Sequence, residues 1–127
     1  MNEYFIPYEL AVKLKEKGFD VPFYFYYRTD DKYLHHAMVT KPLVYCDKID
    51  DEVVCAPTIS QVLKQLREKY SIHISTKPYP CEDGIMWMYE IRKFSIYKSV
   101  VVANKTGFVE EERAAVAGIE CVLDNLI

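Results

Sequence analysis

Glycine is scarce in this chain, four in 127 residues, and none of the four lies in a phosphate-cradling pattern. G-x-x-x-x-G-K-[ST] and G-x-G-x-x-G are both missing, as are G-x-S-x-G and H-E-x-x-H. The usual signatures of nucleotide binding, serine hydrolysis and zinc proteolysis are therefore absent. Positive charge is not in excess either, because 16 Lys and Arg stand against 19 Asp and Glu, for a formal net charge of −3. A phosphate backbone is bound by Lys and Arg that displace condensed counterions, so this balance disfavours nucleic acid as a partner. No apolar run approaches the roughly 20 residues that cross a bilayer, and the start, Met-Asn-Glu-Tyr-Phe-Ile-Pro, shows no basic segment leading into an apolar one. The expectation is a cytoplasmic protein with no membrane partner. The four cysteines, Cys46, Cys55, Cys81 and Cys121, form no C-x-x-C and no C-x-x-H. In a domain with enough apolar residues for a core, buried thiols are expected in preference to disulfides. No cofactor is implied.

Hydrophobic residues make up half of the chain and charged ones 28%. That balance suits a single domain over 1–127, of a size that buries roughly two thirds of its unfolded surface. Its clearest stretch runs from Ala56 to Ser75. Ile59, Val62, Leu63, Leu66 and Tyr70 recur at helical spacing and set five apolar groups on one side of a helix over 58–70. Thr58 and Gln61 form a capping box at its start. Ile72 and Ile74 alternate with His73, which predicts a half-buried strand over 72–75.

Earlier in the chain, Pro7 opens a helix whose apolar side is Leu10, Ala11 and Leu14, and Gly18 ends it with Phe19 folding back on Leu14. Five successive aromatics, Phe23 to Tyr27, predict a strand with Phe23, Phe25 and Tyr27 on one face and Tyr24 and Tyr26 on the other. A polar connection at 28–32 leads to a return strand over 33–39, and 43–46 continue it or start another short strand. Asp47, Asp50, Asp51 and Glu52 lack the glycine turn and closing Glu of a calcium loop, and read as a solvated loop.

After the central stretch, Pro78, Pro80 and Asp83-Gly84 predict a loop over 76–84. A strand follows over 85–91, with Ile85, Trp87, Tyr89 and Ile91 on one face, pairing antiparallel with 72–75. Residues 94–98 prolong it or not, and 99–103 form a further strand or not, before a turn at Asn104-Lys105-Thr106-Gly107. A last helix from about 108 has Ala115, Ile119, Val122, Leu123 and Leu126 as its stripe and Glu110, Glu111 and Glu112 in its first turn. Gly118 inside it hints at close packing. The order α-β-β-α-β-β-α predicts an α+β fold: a small antiparallel sheet of about four strands with three helices packed on one face.

Three stretches together carry a resemblance: Tyr4 to Ala11 with Leu14 to Asp20, Ala56-Pro57-Thr58 running through to Ile74, and Trp87-Met88-Tyr89-Glu90-Ile91. They resemble small uncharacterised proteins encoded in prophages and mobile elements of Bacteroides-type bacteria. The resemblance covers about half of the chain. It implies an accessory role and brings no activity with it.

Two constellations invite chemistry. Cys81, in the expected loop, is reached by His73 across the hairpin as a thiol with a base. His35 and His36 are adjacent in a strand and point to opposite faces, so a zinc site would need only one of them, together with His73 and a cysteine. Against these stands surface chemistry. With eleven tyrosines in the chain, Tyr24, Tyr26, Tyr33, Tyr45 and Tyr89, with His73, give one sheet face an aromatic character suited to a protein partner or a second copy of the chain. The leading expectation is a non-enzymatic interaction protein. The alternative is a ligand- or single-strand-binding module that stacks bases on Tyr and Trp.

Overall fold

In the computed structural model, residues 4–19, 25–36 and 53–127 are described. They form three helices, α1 (Tyr8–Glu16), α2 (Ile59–Tyr70) and α3 (Glu111–Asn125), and six strands. The strands are β1 (Phe25–Arg28), β2 (Leu34–His36), β3 (Val53–Cys55), β4 (Ile72–Cys81), β5 (Gly84–Ser95) and β6 (Lys98–Phe108). The α+β class is as expected. The single four-stranded sheet is not: there are two three-stranded antiparallel sheets, ordered β2-β1-β3 and β4-β5-β6. The chain divides into two compact units, residues 1–61 and 62–127, with α2 running across the division.

In the first unit, Pro7 caps α1 in extended conformation and the helix starts one residue later than expected, at Tyr8. Leu10, Ala11 and Leu14 are buried. The helix ends as its glycine predicts, with Gly18 at φ 77°. The Gly18 N–H donates to Lys15 O and the Phe19 N–H to Leu14 O, both at 3.0 Å. This is the paired closure that a left-handed residue after a helix permits. The alternation of the aromatic strand holds over its described part. Tyr26 stands opposite His35 and Cys55, on one face, while Phe25 stands opposite His36 and Tyr27 opposite Leu34 and Val54, on the other. The second face receives the N-terminal segment and α1: Phe5 lies 4.7 Å from Phe25, Tyr8 meets the Tyr27 ring edge-on, and the Tyr27 hydroxyl donates to Ile6 O at 2.6 Å. Phe23, Tyr24, residues 37–39, the strand expected at 43–46 with Tyr45, and the acidic cluster Asp47, Asp50, Asp51 and Glu52 lie outside the described residues.

In α2 the capping box forms at the junction: the Thr58 N–H donates to Gln61 Oε1 at 2.8 Å and the Gln61 N–H returns to Thr58 Oγ1 at 3.2 Å. Ser71, at φ 56°, ends the helix and turns the chain into β4.

The second unit departs most from expectation. The loop predicted over 76–84 is strand as far as Cys81, and only Glu82 and Asp83 turn the chain. Pro78 and Pro80 read as loop residues because proline cannot donate to a ladder. β4, however, is an edge strand, and two prolines a pair of residues apart both turn their missing donors to the open side. β5 runs on through Ser95, and the further strand left open by the sequence is the eleven-residue β6. The turn expected at 104–107 is not a turn. Lys105 pairs with Tyr89 and Phe108 with Trp87, so three steps on β6 match two on β5, and Gly107 at φ 99° absorbs the surplus residue in a bulge. A second irregularity, between the Ile91–Ala103 and Arg92–Val101 pairs, places Val102 as an extra residue.

α3 packs on one face of this sheet, and its first turn is tied there by the Thr76 hydroxyl donating to Glu111 at 3.0 Å. Ile72, Ile74, Tyr89 and Ile91 on the sheet and Ala115, Ile119, Val122 and Leu123 on the helix are buried. No described helix is long and apolar enough to cross a membrane.

Candidate interaction surface

The residues expected to share one aromatic sheet face are distributed over two sheets. Tyr24 lies outside the described residues. Tyr26 is half-buried and stacks on His35, with ring centroids 5.4 Å apart and planes inclined at 17°. Tyr33 is 72% exposed, in the connection before β2. Tyr89 and His73 belong to the second sheet but to opposite faces, because Tyr89 pairs with Thr76 whereas His73 pairs with Arg92.

Tyr89 is a core residue, 6% exposed, which corrects its assignment to the surface. Its ring lies under Gly118 of α3 and beside Phe108. Burial, helped by a hydrogen bond to the Cys121 side chain, pushes its hydroxyl up to about 12. The period of two already put Tyr89 with Trp87 and Ile91, the face that receives the helix.

In the first unit, the Tyr26–His35 stack is extended by Asp31, whose Oδ2 lies 3.0 Å from His35 Nε2. The Tyr33 N–H donates to Asp31 Oδ1, and that bond, aided by the His35 contact, holds the Asp31 carboxyl below its usual range. His36 points to the other face and stacks on Phe25 at 4.7 Å. Adjacent strand residues separate the two imidazoles as expected.

The face of the second sheet away from α3 carries a polar ladder. Arg92 Nε donates to Glu90 Oε1 at 2.7 Å and Lys77 Nζ approaches Glu90 Oε2 at 3.5 Å, so the Glu90 carboxyl is held below its usual range, chiefly by the Arg92 bond. Near the start of β4, Arg67, Ser71, Ile72, His73 and Phe94 line an open cleft of about 320 Å³. His73 and Phe94 meet edge-to-face there.

Among the described residues, exposed apolar side chains gather on the β5–β6 hairpin. Phe94, Ile96 (84% exposed), Tyr97, Val100, Val101 and Val102 are all exposed. Tyr97 has φ 63° and sits with Ile96 in the two-residue turn closed by the Ser95–Lys98 pair. A turn of this length suits the twist of the strands but leaves its side chains no sheet to pack on. The valines belong to β6, which pairs only with β5, so its outer backbone edge meets no described strand. The sequence signal was present: three successive β-branched residues in a strand without a covering element. Exposure does not follow from those residues alone, because what covers a strand depends on strand order and so on residues far apart in the chain.

Cys81 and His73 are not brought together. Both lie on β4, eight residues apart, which is roughly 26 Å of extended chain. Among the described residues, no three His, Cys, Asp or Glu side chains cluster to hold a metal ion. Cys55, Cys81 and Cys121 carry thiols rather than disulfides. The chain matches no protein-family model, no curated protein and no solved structure, so its functional reading rests on its own residues.

Proposed function

We propose that this chain is a small non-enzymatic interaction protein that binds a protein partner through the β5–β6 hairpin and the outer edge of β6. The observation that supports the reading is the group Ile96, Tyr97, Val100, Val101 and Val102, exposed beside a strand edge that pairs with no described strand. Such an edge is a template for a further strand, and the lysines and bulges that β6 carries restrict pairing to a segment of complementary charge. Of the aromatic surface expected from the sequence, Tyr33 is exposed and Tyr26 half-buried, and neither belongs to this hairpin. A cytoplasmic accessory role of the prophage or mobile-element kind belongs to the same proposal and rests on the sequence resemblance.

The test compares tagged wild-type bait with Val101→Asp and with the double variant Tyr26→Ala/Tyr33→Ala in partner capture. Loss of the captured protein with Val101→Asp, and its retention by the tyrosine variant, is expected. The reverse pattern places binding on the first sheet and refutes the assignment to β6.

The cleft at His73 and Phe94 supports a second reading, a small-ligand or single-strand site in which a base stacks against those rings beside Arg67. Titrating oligothymidine at low salt while following the His73 ring signals tests it; unchanged signals refute it.

A further inference from the structure

We infer that the segment β6 accepts is an extended strand with an apolar centre and an acidic residue at each end. This rests on the proposed use of the β6 edge and adds the chemistry of its occupant.

The register defines that chemistry. Lys93 pairs with Val100, and Lys105 pairs with Tyr89, on the face that carries α3. Lys98 pairs with Ser95, two residues on from Lys93, and so shares that face. All three lysines are exposed, and among the described residues none forms an ion pair with an acid. No Asp or Glu occurs within β6 itself. In a chain of net charge −3, this edge is a local strip of positive charge bracketing valines.

Lys98 to Lys105 is eight residues, and because Val102 is the surplus one, seven pairing positions remain. Along them the α3 face reads Lys98, Val100, Ala103, Lys105, and the other face reads Ser99, Val101, Asn104. The complementary strand therefore carries acids at its first and seventh positions, apolar residues at the third, fourth and fifth, and small polar ones at the second and sixth. The sequence Glu-Thr-Val-Val-Val-Thr-Glu meets this pattern and is palindromic, so it fits in either strand direction.

A second copy of this chain fits less well. Pairing β6 with itself would bring the lysines of both copies to one seam with no acid between them, and like charges facing across strands are destabilising. The backbone edge and valines, in turn, offer no stacking platform for a nucleic acid.

The experiment measures fluorescence anisotropy of labelled, acetylated Glu-Thr-Val-Val-Val-Thr-Glu with the full chain. Comparison peptides are Lys-Thr-Val-Val-Val-Thr-Lys and the Glu peptide N-methylated at its valines. The expected result is binding of the Glu peptide about tenfold or more tighter than the Lys peptide, a difference of the size one well-placed charge contact gives. N-methylation should abolish binding. The exposed double variant Lys98→Glu/Lys105→Glu should reverse the preference between peptides while its near-ultraviolet circular dichroism stays that of the wild type. Equal affinity for the two charge forms, or binding indifferent to N-methylation, overturns the inference. So does displacement of the Glu peptide by oligothymidine. If the Glu peptide fails to bind but light scattering shows a dimer that Val101→Asp dissolves, the acidic-strand inference falls while the use of the β6 edge stands. If neither binding nor association involves Val101, both fall.

Discussion

A methyl group built onto Gly118 would sit 2.9 Å from Ile74 Cγ2 and 3.4 Å from Tyr89 Cγ. Ile74 and Tyr89 are both buried, so neither has room to retreat. Alanine improves helix propensity by about 1 kcal/mol, whereas overpacking a close contact costs about 1–3 kcal/mol. The contact wins, and Gly118→Ala is expected to lower stability in urea denaturation; a gain would show that α3 lies farther from β4 than described. Tyr89 supplies a second test at this scale. Its hydroxyl is pushed from 10.0 to about 12 in the folded chain, first by burial. Between those values the unfolded chain has released a proton that the folded chain still holds, so stability is full below pH 10 and falls as pH rises toward 12. Tyr89→Phe should remove part of that alkaline loss, as read from thermal melts across this range. An identical pH dependence in the variant would contradict it. Gly118 was legible as a sign of close packing, and Tyr89 as a member of the Trp87–Ile91 face. The partner atoms were not, because helix-on-sheet contacts join residues far apart in the chain.

The elements divide according to how local their causes are. Two helix ends formed as read: the Thr58–Gln61 box, and the Gly18 closure of α1. Thr58→Ala should cost about 1 kcal/mol. Gly18→Ala, which forces a Cβ into φ 77°, should cost about 1–2 kcal/mol. Equilibrium denaturation measures each, and values near zero would deny these caps their role. Strand limits were less legible. Pro78 and Pro80 signal a loop unless the strand is known to be an edge, and Gly107 signals a turn unless the pairing shows a bulge. Both facts depend on a neighbour's position, which a single chain read in order does not contain.

At the scale of the whole molecule, reading four strands as one sheet left a single aromatic face as the natural binding surface. Division into β2-β1-β3 and β4-β5-β6 sends Tyr26 to one sheet, with Tyr33 in the connection before β2, and Tyr89 and His73 to opposite faces of the other. The exposed hairpin takes their place as the candidate surface. Because Val101 is 39% exposed in a strand, Val101→Asp should cost no more than about 1 kcal/mol of stability while removing partner capture. A large loss of stability would mean that β6 is covered in the folded chain. The most direct measurement is a two-dimensional amide NMR titration of the protein with Glu-Thr-Val-Val-Val-Thr-Glu. Shifts concentrated on the β6 amides from Lys98 to Lys105 are expected, with Tyr26, Tyr33 and His35 unmoved. Shifts centred on the first sheet, or none at Val100, Val101 and Val102, would contradict binding at the β6 edge.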